Sequence, residues 1–366
     1  MKKPDYSKPV HGGDVWTAAQ RWGMDLDEIL DFSANINPLG PSPLALQAIV
    51  ENIPRLTHYP EPCGESCRLA LAEYLKVDEA NVVLGNGGSE LIYLLGRMFY
   101  KKRLVLLAPC FSEYGEGLEN PHIVRIPLDA GSGFALPWPG IMEALEPGDL
   151  IFVGNPNNPT GNLFDRGQLL ELAAYVRDLE GTMVVDEAFL DFTGRELSLT
   201  QEVEDNPHLI VVGSLTKFFA IPGLRLGYAV ACKEHIQRIE FLLPTWRINT
   251  LAIAAGRASL ADRIYIENTV SLMRQERRFL MEQLQELDFL QAFPGASNFL
   301  LINAEKSGLT AAQWAEHLRR YGILIRDCSN FANLSPYYFR IAVKNRHHNL
   351  RLIEALKRVI AGVFTY

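Results

Sequence analysis

The sequence predicts an α/β protein with a large domain built on a mostly parallel central sheet and a smaller α+β domain at the C-terminal end. Between about residues 45 and 235, short apolar segments alternate with helical stretches, which is the spacing of strand–helix–strand crossovers. Polar clusters follow several of these segments, where ligands bind in open α/β sheets. After Pro244 the pattern changes to one long helix and separated strands. The predicted domains are an arm at 1–45, a large domain at 46–240 and a small domain at 241–366.

The predicted strands of the large domain are short apolar segments bounded by turn residues. They lie at residues 82–85, 104–108, 150–153, 183–185, 209–213 and 224–231. The small domain is predicted to contain a helix around 274–287, strands at 298–302, 323–326 and 338–343, and a closing helix near 347–361. The arm ends in a proline-rich segment at 37–43.

Composition and charge exclude several classes of partner. The chain has 366 residues, 48% of them hydrophobic, which is enough for one large core and a smaller one. A formal net charge of −8 argues against a nucleic-acid or anionic membrane surface. No run of about 18 apolar residues predicts a membrane span, and the first ten residues do not read as a signal peptide. Five scattered cysteines without a Cys-x-x-Cys pair predict reduced thiols, no metal site and a cytoplasmic protein.

Lys217 is the first candidate for chemistry. It follows Ser214-Leu215-Thr216 and precedes Arg225, on the connection between two predicted strands. Such a lysine is either an ordinary solvated loop residue or a desolvated, nucleophilic Schiff-base lysine. In the second case the hydroxyls of Ser214 and Thr216, together with Arg225, would be placed to bind a phosphate.

Asp186 and Asn157 follow two other predicted strands. Burial of the Asp186 carboxylate is costly unless it is paired, and a pyridinium nitrogen of pyridoxal phosphate would be a suitable partner. Asn157 lies in Asn155-Pro156-Asn157-Asn158-Pro159-Thr160-Gly161. This segment is either an ordinary turn or a site where an amide donates to the phenolic oxygen of that cofactor.

Gly87 and Gly88 lie between the predicted strand at 82–85 and an apolar helical segment at 91–99. Backbone amides at the start of such a helix can bind an anion, although a simple capped turn gives the same pattern. The glycine spacing matches neither the dinucleotide-binding fingerprint nor a P-loop.

Taken together, these motifs resemble the fold type I pyridoxal-phosphate enzymes, in the class I and II aminotransferase branch that includes the histidinol-phosphate aminotransferases. The resemblance covers almost the whole chain. It implies pyridoxal 5'-phosphate as the cofactor, with Lys217 bound covalently to it, Asp186 at its ring nitrogen and Asn157 at its phenolic oxygen. The residues implied at the cofactor phosphate are Gly87, Gly88, Ser214, Thr216 and Arg225.

The same resemblance assigns roles to three aromatic positions. Phe111 would stack on the cofactor ring, where many relatives have a tyrosine. Tyr59 would reach the cofactor phosphate of the partner subunit, which implies a homodimer. Phe189 occupies a position where many relatives have a tyrosine that also bonds the phenolic oxygen, so Asn157 becomes the main donor and plain transamination is less well supported.

A second group of motifs is more similar to the threonine-phosphate decarboxylases of cobalamin biosynthesis. It comprises His11-Gly12-Gly13-Asp14, the segment from Asp31 to Gly40, Ile325-Arg326 and Phe339-Arg340-Ile341. The resemblance implies a site for a small phosphorylated amino acid formed by His11, Asn35, Tyr59, Asn157, Arg326 and Arg340. Without it, His11 could be an ordinary arm residue and each arginine an ordinary surface ion pair.

The predicted reaction is decarboxylation of L-threonine O-3-phosphate. Only a bond perpendicular to the cofactor ring can pass its electrons into that ring, so the orientation of the substrate selects the reaction. Arginines that bind the substrate phosphate would leave the carboxylate able to depart. Two alternatives remain: a histidinol-phosphate or related aminotransferase, and a non-catalytic protein that binds pyridoxal phosphate and acts through a partner.

Overall fold

The computed structural model describes residues 11–364. The α-helices are α1 Val15–Trp22, α2 Pro43–Asn52, α3 Glu65–Leu75, α4 Gly88–Phe99, α5 Trp138–Ala144, α6 Arg166–Asp178, α7 Leu215–Phe218, α8 Lys233–Leu242, α9 Thr250–Ala261, α10 Arg263–Gln285, α11 Ala311–Arg319 and α12 Arg346–Phe364. The strands are β1 Leu30–Asp31, β2 Val82–Gly85, β3 Leu104–Ala108, β4 Ile123–Pro127, β5 Leu150–Gly154, β6 Thr182–Asp186, β7 Leu209–Ser214, β8 Gly227–Val230, β9 Gln291–Ala292, β10 Phe299–Asn303, β11 Ile323–Leu324, β12 Arg326–Asp327 and β13 Tyr338–Ala342.

A large, mostly parallel sheet forms the centre of the molecule. Within residues 11–364 it has seven strands in the order β2-β8-β7-β6-β5-β3-β4. Strands β4, β3, β5, β6 and β7 are parallel to one another, and β8 is antiparallel to both of its neighbours, β7 and β2. The predicted α/β class with a mostly parallel sheet is therefore confirmed.

The apolar segments are continuous because the sheet is covered on both faces. Every residue of β3, β5 and β7 is buried, so these strands show no alternation of polar and apolar positions. The buried residues on the two faces belong to two separate hydrophobic clusters. This double coverage is the reason that apolar runs located the strands accurately in the sequence.

The carboxyl ends of the parallel strands bring several polar residues to one edge of the large sheet. Asp186 ends β6, and it lies opposite Gly154 of β5 and Val212 of β7. Ser214 ends β7, and α7 begins immediately after it, which carries Lys217 to the same edge. The candidate residues that follow different strands in sequence are thus neighbours in space.

A small antiparallel sheet, in the order β12-β13-β10-β9, follows in the C-terminal part. Its register places Arg326 directly opposite Arg340. Strand β1 of the arm pairs in parallel with β11, so the arm is attached to the C-terminal part of the chain. The domain boundaries 1–45, 46–240 and 241–366 remain a prediction.

Three predicted elements differ from the structure. The strand at 224–231 begins only at Gly227, because Pro222–Leu224 form a 3-10 helix and Arg225 has a left-handed backbone with φ of 58°. The strand at 323–326 is two strands, β11 and β12, which pair with different partners. The helix predicted at 274–287 corresponds to α10, which begins earlier, at Arg263, and ends at Gln285. None of the helices between residues 11 and 364 has the length and apolarity needed to cross a membrane.

Candidate active site

A cleft of about 670 Å³ lies between the carboxyl edge of the large sheet, the arm and the small sheet. Its lining includes candidates from distant parts of the sequence, namely His11, Asn35, Phe111, Lys217, Arg225, Arg326 and Arg340. A smaller cavity of about 60 Å³, lined by Phe111, Asp186, Phe189 and Lys217, adjoins it. The fold therefore collects most of the predicted site residues around one space.

The Lys217 amine has an environment unlike that of a solvated loop lysine. Its side chain keeps some surface toward the cleft, but Nζ lies among protein atoms and donates to Ser214 Oγ at 3.2 Å. Burial lowers the pKa of Lys217, which the Asp186 carboxylate opposes and the Arg225 guanidinium reinforces. A lysine with a lowered pKa has more neutral amine, which is the nucleophilic form.

Asp186 is a buried carboxylate with defined partners. Its Oδ2 accepts a hydrogen bond from the Tyr114 hydroxyl at 2.8 Å, and its Oδ1 accepts one from Ala188 N at 3.0 Å. Burial raises the pKa of Asp186, and these two donors, together with the charge of Lys217, act in the opposite direction. The arrangement suits a carboxylate that faces a cationic group such as a protonated ring nitrogen.

The groups predicted for a phosphate are brought together beside Lys217. Gly87 has φ of 87° and precedes the start of α4 at Gly88. This positive φ favours glycine, and a Cβ at Gly87 would lie 2.8 Å from Arg225 Nη2 and displace the end of that side chain. The hydroxyls of Ser214 and Thr216 are 2.8 Å apart. Helix-start amides, a guanidinium and two hydroxyls form a donor set suited to a phosphate.

These residues fit pyridoxal phosphate. Arg225 and Lys217 line the cleft, and Lys217 and Asp186 line the adjoining cavity, so a cation suited to a phosphate, an amine and an acid surround connected spaces. Phe111 lines the same space, and its ring packs edge-on against Tyr114 with centroids 5.7 Å apart. Phe189 also lines it, with its ring centroid 5.7 Å from Lys217 Nζ.

Asn157 is placed differently from the other predicted cofactor residues. Its Nδ2 donates to Pro109 O and to Thr160 Oγ1, both at 2.9 Å, and the side chain is buried. Both amide hydrogens are thus used within the protein, and donation to the phenolic oxygen would require one of these bonds to be exchanged. The cleft is lined instead by its neighbour Asn158.

Tyr59 lies outside the cleft of its own chain. Its side chain is 79% exposed and stacks on Trp246 with ring centroids 4.5 Å apart. It lines a separate surface cavity of about 400 Å³ together with His58 and Arg257. Any contact of Tyr59 with a cofactor would therefore have to be made with another copy of the chain.

Arg326 and Arg340 form a buried pair of cations at the far side of the cleft. Arg340 Nη2 donates to Ser33 O at 2.9 Å, and its Nη1 contacts Asn158 Oδ1. Arg326 Nη2 donates to Asn330 Oδ1 at 2.9 Å. Burial lowers the pKa of Arg340 to about 10 and also lowers that of Arg326. Two buried guanidiniums that line one cleft would be stabilised by an anionic ligand.

Buried polar atoms without a hydrogen-bond partner mark the same region. Among residues 11–364 there are five such atoms, and three of them, Asn35 Oδ1, Ser112 Oγ and Arg340 Nε, belong to residues that line the cleft. Such atoms are rare in folded proteins because each forfeits its hydration. Their concentration here indicates a space that a polar ligand completes.

His11 reaches the cleft from the arm. Its Nε2 lies 2.5 Å from Glu113 Oε1, and its ring is tilted against Phe111 with centroids 5.9 Å apart. The other carboxylate oxygen of Glu113 accepts a hydrogen bond from the Tyr93 hydroxyl at 2.6 Å. The structure thus brings His11, Asn35, Arg326 and Arg340 to one cleft, as the sequence predicts.

Four residues of the site were not singled out in the sequence: Ser112, Glu113, Tyr114 and Asn158. Three of them belong to the Phe111-Ser112-Glu113-Tyr114 segment, three residues beyond the end of β3. The signal that could have found them is the one that located Asp186 and Asn157, a polar cluster after an apolar strand. Asn158 is adjacent to Asn157 in the same turn.

The chain is similar to known proteins along nearly its full length. The model of the family described as aminotransferase class I and II matches residues 27–356. The chain is 36% identical to the threonine-phosphate decarboxylase of Salmonella typhimurium, with 97% of each protein covered. It is 31% identical to the histidinol-phosphate aminotransferase of Methanopyrus kandleri, with 96% of this chain and 93% of the relative covered.

A solved structure shows the same relationship. The crystal structure of L-threonine-O-3-phosphate decarboxylase from Porphyromonas gingivalis has a TM-score of 0.79 and 28% identity, and the match covers 90% of this chain and 98% of that one. The fold type I class and pyridoxal phosphate as the cofactor, both predicted from the sequence, are confirmed. This chain belongs to the class I and II aminotransferase family.

Proposed function

We propose that the protein is a pyridoxal-phosphate-dependent lyase that converts L-threonine O-3-phosphate to (R)-1-aminopropan-2-ol O-phosphate and carbon dioxide, a step of cobalamin biosynthesis. The observation that carries the proposal is the buried Arg326–Arg340 pair beside the unpartnered atoms of Asn35 and Ser112. The similarity to threonine-phosphate decarboxylases, at 36% identity against 31% for an aminotransferase, supports it.

The proposed roles follow the two ends of the cleft. The residues proposed to bind the cofactor are Gly87, Gly88, Phe111, Asn157, Asp186, Ser214, Thr216, Lys217 and Arg225. The residues proposed to bind the substrate are His11, Asn35, Asn157, Arg326 and Arg340. When bound, pyridoxal phosphate supplies an electron sink for the bond that breaks at the substrate α-carbon.

Lys217 and Asp186 would act directly on the reacting groups. Burial keeps part of Lys217 as the neutral amine, which can attack a carbonyl or imine carbon and can carry a proton on Nζ. The Asp186 carboxylate, which accepts a hydrogen bond from Tyr114, would hold the protonated ring nitrogen of a bound cofactor. These two tasks are needed equally for decarboxylation and for transamination.

The arginines would decide between these reactions. Guanidiniums bind phosphate through parallel N–H groups, so Arg326 and Arg340 suit the doubly charged substrate phosphate. When the phosphate occupies them, they are not available to hold the α-carboxylate, which can then leave as carbon dioxide. A proton from Lys217 Nζ or from water replaces it at the α-carbon.

Product analysis tests the reaction. The purified protein with pyridoxal phosphate should release one carbon dioxide for each L-threonine O-3-phosphate consumed, with aminopropanol phosphate identified by mass spectrometry. Transfer of the amino group of histidinol phosphate to 2-oxoglutarate, without carbon dioxide release, would replace this proposal by the aminotransferase. Cofactor binding without turnover of either substrate would leave only a binding function.

We also propose a homodimer in which Tyr59 reaches the cofactor phosphate of the partner subunit. The exposure of Tyr59 and its position outside its own cleft support this arrangement. Mixing inactive Tyr59→Ala and Lys217→Ala subunits should restore activity, because one mixed site would contain both native residues. Sedimentation of an active monomer, or no recovery in mixtures that exchange subunits, would contradict the proposal.

A further inference from the structure

Glu113 lies where the arm meets the large domain and lines the cleft with only 8% of its surface exposed. Its two oxygens accept hydrogen bonds from His11 Nε2 and the Tyr93 hydroxyl. A buried carboxylate beside a site for an anion is unfavourable, because it is desolvated and repels the ligand. The reaction proposed above gives Glu113 no role, so its presence in the cleft needs an explanation.

The contact with Glu113 determines how His11 can meet a ligand. An ionised carboxylate only accepts hydrogen bonds, so the proton on His11 Nε2 points toward Glu113. In a neutral ring Nδ1 would then be an acceptor, which cannot bind an anion. A ring that carries protons on both nitrogens can donate to Glu113 and to an anion at the same time.

The backbone around His11 is held from the opposite side by the turn that follows β1. Gly13 N donates to Ser33 Oγ at 2.7 Å, and Ser33 Oγ donates to Asp31 Oδ1 at 2.6 Å. A Cβ on Gly12 would lie 2.3 Å from Ser33 O, so the two backbones are in direct contact. The same Ser33 carbonyl accepts the bond from Arg340, so the turn contacts both the His11 segment and Arg340.

From this geometry we infer that Glu113 is a positioning residue, which Tyr93 fixes in place and which orients the His11 ring for donation to the substrate phosphate. The other ionisable groups that line this part of the cleft are Asp31, Arg326 and Arg340, and Glu116 lies close enough to interact with both His11 and Glu113. The inference rests on the proposed function only in requiring a phosphorylated substrate.

Three holoenzyme variants test whether Glu113 acts through His11. We expect Glu113→Gln and His11→Ala each to raise KM for L-threonine O-3-phosphate about tenfold, the effect of one charge-assisted hydrogen bond, with little change in kcat. The double variant should bind no more weakly than His11→Ala, because in this role the carboxylate acts on the substrate only through the imidazole. If the increases in KM caused by the two single substitutions multiply in the double variant, the inference is overturned.

Two controls separate positioning from a general structural effect. Glu116→Gln removes a neighbouring carboxylate and should leave KM unchanged, and all variants should keep the cofactor absorption spectrum of the wild type. Calorimetric binding of inorganic phosphate to the holoenzyme should weaken in Glu113→Gln as KM rises. Unchanged phosphate binding would overturn the inference even if carbon dioxide release is observed. Weaker phosphate binding without carbon dioxide release would support it while the decarboxylase proposal fails.

Discussion

The two ends of the cleft differ in how completely their polar groups are satisfied. At the cofactor end, Asp186 has Tyr114 and Ala188 as donors, and Lys217 donates to Ser214. At the substrate end, Asn35 Oδ1 and Arg340 Nε are buried without a partner among residues 11–364. The first end rests on adjacent strands of the large sheet, whereas the second is assembled from the arm and the small sheet.

This difference indicates a division of tasks. The cofactor end is organised before any substrate arrives, because its side chains are already held by hydrogen bonds and by a sheet buried on both faces. The substrate end is completed by its ligand and so carries the specificity. Substitutions at the first end should therefore affect kcat, and those at the second should affect KM.

The largest effect should come from Lys217→Ala. Loss of the only amine placed at this edge of the described site should lower kcat by at least ~10³-fold, in the range known for positioned proton-transfer groups. The visible absorption band of the bound cofactor should disappear with it. Lys233→Ala is the matched control, since this lysine forms a surface ion pair with Asp78. Turnover retained in Lys217→Ala would remove the lysine from the mechanism.

Arg340→Ala should have the next largest effect, and it should appear in KM. Loss of a buried guanidinium that binds a phosphate should raise KM by about 10²-fold, with cofactor affinity unchanged. Steady-state kinetics with L-threonine O-3-phosphate measure this. Arg358→Ala, in an exposed pair with Glu354, is the control and should leave KM unchanged. A fall in kcat with KM unchanged would contradict the division of tasks between the cofactor end and the substrate end.

Tyr114→Phe should affect the cofactor end by shifting its pH dependence. Burial raises the pKa of Asp186, and the Tyr114 hydroxyl lowers it. Without that hydroxyl the pKa of Asp186 should rise further, so the ionised carboxylate is lost at a higher pH as the solution is acidified. The acid limb of the pH profile of kcat should move to higher pH. At pH values below the shifted limb, kcat should be about tenfold lower than that of the wild type.

A matched control for this shift is Tyr175→Phe, whose hydroxyl donates to Met142 O far from the cleft lining. Its pH profile should follow the wild type. If the acid limb of Tyr114→Phe stays in place or moves to lower pH, Asp186 does not control it.

Ser112→Ala should give the smallest effect. Its buried hydroxyl lacks a partner and lines the cleft, so a bound substrate that satisfies it gains one neutral hydrogen bond. KM should rise about two- to tenfold in the variant. Ser259→Ala is a close control, because Ser259 Oγ is also buried and unpartnered but does not line the cleft. An unchanged KM in Ser112→Ala, with a higher Tm, would mean that no ligand reaches this hydroxyl.

The inner strands of the large sheet were predictable because their signal is local, whereas β4, which lies at the edge and is only partly buried, was not predicted. The predicted bounds 104–108 coincide with β3, and those of β5, β6 and β7 differ by one or two residues. Strands buried on both faces need apolar residues at every position, and polar turns end them. The error at 224–231 arose because a 3-10 helix and the left-handed Arg225 precede β8, and the error at 323–326 arose because β11 and β12 pair with different strands.

The sequence alone therefore determined the fold class, the cofactor and the residues proposed at the cofactor end. These residues follow successive strands, and parallel strands bring their carboxyl ends together. Only the tertiary structure decided that Asn157 is already bonded within its turn, that Tyr114 supports Asp186, and that Glu113 pairs with His11. Such contacts depend on burial and on distances between segments up to about a hundred residues apart, which no local pattern in the sequence records.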